Sequence, residues 1–342
     1  MRRNTNAIRM AMSPGVGLVL SAVFAFAGCS ESGLRPLLSS DHHPEDYPTV
    51  QAVRYMAGLL RDESGGRLDI RIYAGGQLGS ERDTLEITAF GGLDLDRVNL
   101  APLNAIEPMT VIPSLPFLFR TTEHMRASLD GPVGDAILDS LEPHDLVGLC
   151  FYDSGERSFY NTKRAIRTPD DMEGMKIRVQ NSDLYVAMIR ALGADATPMY
   201  LGEVYQSLVQ GVIDGAENNW PSYESGRHFE AAPYFSLTRH VMAPEILVMS
   251  LDRWRKLSKE DQTLIRSAAK RSVRYMRTLW DERVKQARAH LLEAGVKVNE
   301  VDDLSSFQRR MAPIWDRFVT TQRQRELVKQ IQALGEAMEK KP

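Results

Sequence analysis

Residues 176–220 decide the fold; they read KIRVQNSDLYVAMIRALGADATPMYLGEVYQSLVQGVIDGAENNW. The first five residues, 176–180, alternate between polar and apolar, which predicts a short strand whose side chains point in turn to opposite faces. Asn181 or Ser182 then caps a helix, because apolar residues recur at helical spacing from Leu184 to Ala191. Residues 176–191 are therefore predicted to form a strand followed directly by a helix.

The same stretch also brings a cation and several amide groups together. Arg178 lies on the polar face of the predicted strand, between two apolar neighbours. Residues 216–220, AENNW, are polar and aromatic and show no core periodicity. A guanidinium at the end of a strand, facing paired amides and an indole, suits a small polar anion. The alternative for Arg178 is a structural ion pair with an acid of the same wall.

Strands and helices alternate along the chain, which predicts an α/β fold. Residues 113–119 are apolar with two prolines and predict a buried extended segment. No low-complexity linker divides the sequence, which fits two lobes joined by strands that cross between them more than once. The predicted helices cover residues 48–62, 80–90, 122–129, 133–142, 203–210, 260–294 and 304–318, and the predicted strands cover residues 37–40, 68–72, 93–98, 146–153, 243–251 and 296–298.

Composition sets the broad class of protein. The 342 residues are 43% hydrophobic and 25% charged, which is typical of a soluble globular chain with room for two separate cores. A net charge of −3 gives no sign of a basic surface for nucleic acid. Of the two cysteines, Cys150 lies in the apolar run 146–152 and is predicted to be a buried, inert thiol.

The amino terminus predicts export. Residues 1–28 combine three arginines with an apolar run, 15–27, that is too short to span a bilayer, which is the pattern of a signal peptide. Residues 27–30, AGCS, resemble a bacterial lipobox, so Cys29 is predicted to be lipidated and to anchor the protein through the tether 29–36. The alternative is an ordinary secretory signal with an incidental cysteine. Both place the protein outside the cytoplasmic membrane.

Four segments in order, KIRVQNS (176–182), ALGADATPM (191–199), GEVYQSL (202–208) and GVIDGAENN (211–219), resemble the DctP-type solute-binding proteins of TRAP transporters. The similarity extends from Asp41 to about Thr320. The longer segments GAENNWPSYES and DHHPEDYPTVQAVRYM look like the members of this family that bind sugar acids of the uronate type.

The resemblance implies a two-lobe clamshell with a ligand cleft between the lobes and a long helix backing both. On this basis residues 37–153 with about 243–275 form lobe I, and residues 154–242 with about 276–320 form lobe II. Residues 321–342 are expected to form a helical C-terminal tail.

The resemblance also supplies ligand-binding candidates in the second lobe. Arg178 matches the arginine that contacts the ligand carboxylate, and Arg157 matches the position of a second arginine. Asn218 matches an asparagine of the far wall, whereas Asn219 and Trp220 belong to the sugar-acid version, in which an indole can cover a sugar ring. The alternative for Trp220 is packing at a hinge.

Arg97 and Asn99 lie two residues apart on one face of a predicted strand in the first lobe. Arg97 would add a cation for an acidic ligand; its alternative is a salt bridge to Asp94 or Asp96. Asn99 stands where sialic-acid-binding relatives have glutamate, which argues against their substrate.

Four further residues complete the candidates. Glu81 could accept hydrogen bonds from sugar hydroxyls, or serve only as a first-turn helix acid. A metal at His42 and His43 is not expected, because adjacent histidines usually diverge and no second cluster has ligand spacing. His43 is interpreted as a donor to the ligand, because the resemblance implies that its turn borders the cleft. Gln180 and Tyr200 are weaker candidates for the lining. No metal and no cofactor is expected.

The leading hypothesis is a monomeric periplasmic protein that captures a hexuronate, such as D-glucuronate or D-galacturonate, and delivers it to a TRAP membrane permease without altering it. One alternative is a secreted uronate-acting enzyme, although the Gly-x-Ser-x-Gly and His-Glu-x-x-His motifs are missing. Another is a protein that presents its ligand to a membrane receptor. The ligand could also be a C4-dicarboxylate or an aldonate.

Overall fold

The computed structural model describes residues 35–340, so the predicted signal peptide, most of the tether and Cys29 lie outside the described residues. Two mixed sheets organise this part of the chain. In the first sheet, with order β2-β1-β3-β10-β4, β10 runs antiparallel to both of its neighbours, and the remaining pairs are parallel. Its strands are β1 (Leu37–Ser40), β2 (Ile70–Tyr73), β3 (Leu95–Asn99), β4 (Leu146–Tyr152) and β10 (Glu245–Ser250).

The second sheet has the order β11-β9-β5-β8-β6-β7. Its central strand β5 runs antiparallel to both β8 and β9, whereas β6 runs parallel to β7 and β8. Its strands are β5 (Arg157–Asn161), β6 (Lys176–Val179), β7 (Asp195–Pro198), β8 (Gly215–Asn218), β9 (Tyr234–Val241) and β11 (Lys297–Glu300).

Eleven α-helices surround the sheets in the described part of the chain. They are α1 (Pro48–Glu63), α2 (Glu81–Ala89), α3 (Thr122–Leu129), α4 (Pro132–Asp139), α5 (Asp183–Ala191), α6 (Val204–Val209), α7 (Trp220–Ser225), α8 (Leu251–Arg255), α9 (Lys259–Glu293), α10 (Leu304–Phe318) and α11 (Gln322–Glu339). None of these helices combines the length and the hydropathy needed to cross a bilayer.

Four connections join the two sheets and their helices in the described part of the chain; in the last of them the chain passes from α10, which packs on α5 and β9, to α11, which packs on α3 and α4 beside the first sheet. The chain passes from β4 to β5 through residues 153–156 and returns from β9 to β10 through residues 242–244. Helix α9 is the third, because it packs on α1 and β4 beside the first sheet and then on α7 beside the second. In the first crossing, Gly155 has φ of 63°, and a Cβ there would lie 3.0 Å from the Trp280 ring of α9. The two-lobe architecture with strands crossing between lobes and a long backing helix is thus confirmed.

Three apolar clusters hold these elements together. One joins α1 and α9 to the first sheet, and a second joins α7 and the end of α9 to the second sheet. A third draws α3, α4, α5, α10 and α11 over the other faces of both sheets. Helix α11 is therefore part of the core: Leu327 and Ile331 are buried, and the Ile331 carbonyl lies 2.8 Å from His124 Nε2. The lobe boundaries given above remain a prediction.

Two details differ from the sequence predictions. Residues 108–114 form a 3₁₀ helix, so the expected extended segment at 113–119 is wrong over its first residues; the Glu107 side chain caps this helix by accepting from Met109 N. The strands β5, β7, β8 and β9 and the short helices α7 and α8 were not predicted. The buried strand β8 reads Gly-Ala-Glu-Asn, which lacks the apolar alternation that marks a strand.

Candidate functional site

Arg178 lies on β6, the strand that opens the deciding stretch of sequence, and only 3% of it is exposed. Its Nε and Nη2 donate to the Met199 carbonyl at 3.0 and 2.7 Å, because the chain returns beside β6 after α5. Its Nη1 is buried without a hydrogen-bond partner in the described part of the chain. Within residues 35–340, Arg178 forms no salt bridge, and burial lowers its pKa. The site thus contains a buried, uncompensated cation.

Arg157, at the start of β5, is also buried but is fully paired. Its Nε and Nη2 donate to the two carboxylate oxygens of Glu217 at 2.5 and 2.7 Å, and its Nη1 donates to Asn218 Oδ1 at 2.8 Å. Burial alone would raise the pKa of Glu217, but Arg157 and the nearby His240 lower it to about 2. This ion pair explains how β8 can bury acidic and amide side chains at the centre of a sheet.

The two asparagines that follow Glu217 have different surroundings. Asn218 lines the cavity between the lobes, and its Oδ1 accepts from both Arg157 and the Asn219 backbone N–H. Asn219 is the N-cap of α7: its Oδ1 accepts from Ser222 N at 2.8 Å, and its Nδ2 donates to the Ser154 carbonyl at 2.7 Å. Asn219 does not line that cavity in the described structure, and its amide is used to join β8 to the crossing segment.

Arg97, on β3, is enclosed by three carboxylates and is completely buried. Its Nε and Nη2 donate to Asp41, and its Nη1 donates to Glu81 at 3.1 Å and to Glu245 at 3.0 Å. The expectation that Arg97 offers a cation to the ligand therefore needs correction, since each of its nitrogens is already engaged and it does not line the cavity. The ion pairs are also not the predicted ones, because neither Asp94 nor Asp96 is among its partners.

Glu81, Asn99 and His43 line the cavity on the side of the first sheet. Glu81 is the first residue of α2, where Ser80 provides the N-cap. Its Oε1 accepts from Asn99 N at 2.9 Å and from Asn99 Nδ2 at 3.1 Å. His43 stacks on Tyr47 with the ring centroids 3.6 Å apart, and burial lowers its pKa well below the usual value, so it is neutral. These groups form a wall rich in hydrogen-bond acceptors.

The cavity between the two walls has an empty volume of about 270 Å³. It continues past Glu81, Arg178 and Gln180 into an adjoining groove of about 650 Å³ that Tyr200 also lines. The residues lining the cavity are His42, His43, Glu81, Asn99, Ser154, Arg157, Arg178, Gln180, Leu201, Asn218, Ser222 and Glu245.

Trp220 lies outside this cavity. Its ring stacks on Phe235 at a centroid distance of 4.2 Å, and it lines a separate groove together with Gly155 and Trp280. This position agrees with packing near a crossing segment, the alternative considered for Trp220, and does not support the expectation that the indole covers a sugar ring.

Sequence reasoning missed five lining residues: His42, Ser154, Leu201, Ser222 and Glu245. Glu245 is the first residue of the apolar strand β10 and Ser222 lies inside α7, so neither had a local signal. They reach the cavity only because β10 pairs with β3 and because α7 follows β8.

Comparisons with known proteins agree with this geometry. The family model of bacterial extracellular solute-binding proteins, family 7 (DctP), matches residues 39–322. A TRAP periplasmic solute-binding protein from Bradyrhizobium, solved in complex with α/β-D-galacturonate, is 52% identical with a TM-score of 0.86, covering 87% of this chain and 100% of its own. A TRAP periplasmic solute-binding protein from Chromohalobacter salexigens, with bound D-glucuronate, is 43% identical with a TM-score of 0.84, covering 87% and 99%.

A further relative is the 2,3-diketo-L-gulonate-binding periplasmic protein of Escherichia coli, which is 31% identical over 72% of this chain and 75% of its own length. The chain belongs to family 7 of the bacterial extracellular solute-binding proteins, the DctP type that serves TRAP transporters. The predicted family is therefore confirmed, and with it an extracytoplasmic, ligand-binding role.

Proposed function

We propose that this protein captures a hexuronate, D-galacturonate or D-glucuronate, and delivers it to the membrane subunits of a TRAP permease. The proposal depends on one observation above all: within residues 35–340, Arg178 is a buried guanidinium whose Nη1 has no hydrogen-bond partner and which forms no salt bridge. A buried charge without a counter-charge is costly, so the site favours an anion that supplies one.

The cavity offers complementary groups to the two ends of a uronate. A carboxylate can accept from Arg178, since a guanidinium fork matches its planar geometry. Asn99 Oδ1 and Gln180 Oε1 are buried acceptors without partners in the described part of the chain, and sugar hydroxyls can donate to both. Both similar structures described above contain a bound hexuronate, which supports the same ligand class here.

The mode of action follows from the fold. Closure of the two lobes about residues 153–156 and 242–244 would bury the sugar acid, driven by contacts that are made only when both walls reach the ligand. No chemistry on the ligand is part of this proposal. We further propose that the protein acts as a monomer in the periplasm and that lipid at Cys29 anchors it to the membrane.

Thermal unfolding of the chain without its first 29 residues tests the ligand class. The panel contains D-glucuronate, D-galacturonate, sialic acid, C4-dicarboxylates and neutral hexoses. A ligand present at 100 times its Kd adds about 2.7 kcal/mol of stability, which visibly raises the midpoint. We expect a rise with the uronates and none with neutral hexoses. A rise only with dicarboxylates or sialic acid would reject the uronate, and no rise with any acid would reject acid binding.

Recovery of the ligand tests whether the protein is also an enzyme. D-Galacturonate incubated with an equimolar amount of protein and then released by denaturation is expected to be unchanged by NMR. An isomerised or dehydrated product that forms only with the folded protein would contradict the proposed role.

A further inference from the structure

The two walls of the cavity carry opposite charge. The wall on the second sheet contributes Arg178, which is unpaired in the described structure, whereas Arg157 is neutralised by Glu217. On the first sheet, three carboxylates surround the single guanidinium of Arg97, so acidic groups outnumber the cation there, although burial raises the pKa of one of them, Glu245. The partners of Arg97 are Asp41, Glu81 and Glu245.

Glu81 is a carboxylate of this cluster that lies at the surface of the cavity. Its Oε1 is occupied by donors from Arg97, His42 and Asn99 at 2.8–3.1 Å. Among the described residues, its Oε2 has a single long hydrogen-bond contact, 3.4 Å from Asn99 Nδ2, and 15% of the side chain is exposed. Burial alone would raise the pKa of Glu81, but His42, Arg97 and the Asn99 backbone N–H together lower it, so the group is ionised at neutral pH.

Asn99 adds an acceptor beside this carboxylate. Its Nδ2 faces Glu81, which fixes the orientation of the amide because the opposite orientation would place oxygen against oxygen. Its Oδ1 is therefore an acceptor, and it is buried without a partner in the described part of the chain. Free acceptors at this wall require donors from a ligand, which a hydroxyl has and a carboxylate lacks.

We propose that this acidic wall limits the ligand to one carboxylate, so that the site takes sugar monoacids and rejects aldarates, which carry a carboxylate at each end. This inference rests on the proposed function and narrows it. A monoacid would place its carboxylate on Arg178 and its hydroxyls on Glu81 and Asn99. An aldarate held in the same way would set its second carboxylate against Glu81 and leave both acceptors unpaired, which combines charge repulsion with lost hydrogen bonds.

Calorimetric titration at neutral pH tests this selectivity. D-Galacturonate and D-glucuronate are compared with galactarate and D-glucarate on the wild type, Glu81→Gln and Glu86→Gln. We expect aldarates to bind the wild type at least about 100-fold more weakly than uronates. Glu81→Gln should weaken uronate binding and strengthen aldarate binding, so the ratio of the aldarate Kd to the uronate Kd should fall at least about tenfold. Glu86, exposed on the same helix and paired with Arg82, is the matched control, and its variant should keep the wild-type ratio.

Several results would overturn the inference. The comparison on the wild type needs no variant, and aldarates that bind within about threefold of uronates would reject the inference while leaving sugar-acid binding intact. The inference would also be rejected if Glu81→Gln is folded, as shown by a cooperative unfolding transition, and keeps the wild-type ratio of aldarate Kd to uronate Kd. If no sugar acid binds the wild type, and Arg178→Ala behaves identically, the proposed function fails and the selectivity fails with it.

Discussion

Three buried arginines near the cleft have different electrostatic roles. Arg97 and Arg157 contact carboxylates, and the pKa of each is raised beyond the ordinary value although burial opposes this. Within residues 35–340, Arg178 donates hydrogen bonds only to a backbone carbonyl oxygen, that of Met199, and its pKa is lowered by burial. All three were singled out from the sequence, but only the three-dimensional arrangement distinguishes the two structural ion pairs from the free cation. The carboxylates that pair with Arg97 and Arg157 lie 16 to 148 residues away along the chain.

Replacement of Arg178 by alanine should abolish useful affinity for the sugar acid. A hydrogen bond to a charged group contributes about 1.5–3 kcal/mol, or roughly 10- to 150-fold in Kd for each bond that is lost. Arg178→Lys should recover part of the affinity, because it keeps the charge but loses the planar fork. Isothermal titration calorimetry with D-galacturonate measures both effects. Arg190→Ala, an exposed site on the following helix, is the control, and equal affinities for Arg178→Ala and wild type would contradict the assignment.

Glu217 should make stability depend on pH. Its pKa is about 2 in the folded protein, while the ordinary value is 4.5, so the unfolded chain binds more protons between these values. The stabilisation from this group is therefore complete above about pH 5 and is lost as pH falls toward 2. Urea unfolding from pH 6 to pH 2.5 should show this loss in the wild type and a smaller one in Glu217→Gln. Equal pH dependence of the two free energies of unfolding would contradict the expectation.

At the scale of elements, the sequence predicted best where burial on one face leaves a periodic pattern. Helix α10 was predicted at its observed ends, and α1 and α9 within one residue at each end. Strand β8 was not predicted, because a strand that buries Glu217 and Asn218 depends on Arg157 of the neighbouring strand rather than on its own periodicity. The wall of the first lobe was incomplete for the same reason, since Asp41 and Glu245 enter it through distant pairing.

Close pairing of β5 and β8 predicts that Gly215 tolerates no side chain. A Cβ at this position would lie 2.3 Å from the Tyr160 carbonyl oxygen, which is backbone and cannot rotate away. We expect Gly215→Ala to lower the free energy of unfolding by about 1–3 kcal/mol. Gly58→Ala is the control: no atom lies within 4 Å of its added Cβ, so a gain of roughly 0.5–1 kcal/mol is expected inside helix α1. Chemical denaturation measures both, and a neutral Gly215→Ala would contradict this packing.

For the whole molecule, the arrangement of two lobes about two crossing segments predicts hinge closure. The cavity draws its lining from both sheets, so a ligand that contacts Arg178 and Glu81 together favours the closed form. Small-angle X-ray scattering should show a smaller radius of gyration with saturating D-galacturonate than without it. A neutral hexose, or the Arg178→Ala variant with the same acid, should cause no change. Calorimetric binding by the wild type without any change in scattering would exclude closure as the response.

The connections between the lobes have a consequence for how occupancy is signalled. Two crossing segments, helix α9 and the link from α10 to α11 tie the lobes together, so we expect their relative motion to be mainly a rotation about one axis. Residues inside the cleft select the sugar. When the sugar binds, the change on the outside of the protein is a change in the distance between the outer surfaces of the two lobes. A membrane partner that binds both outer surfaces can distinguish the open from the closed form without contacting the sugar. Recognition of cargo and recognition by the permease can therefore evolve on separate sets of residues.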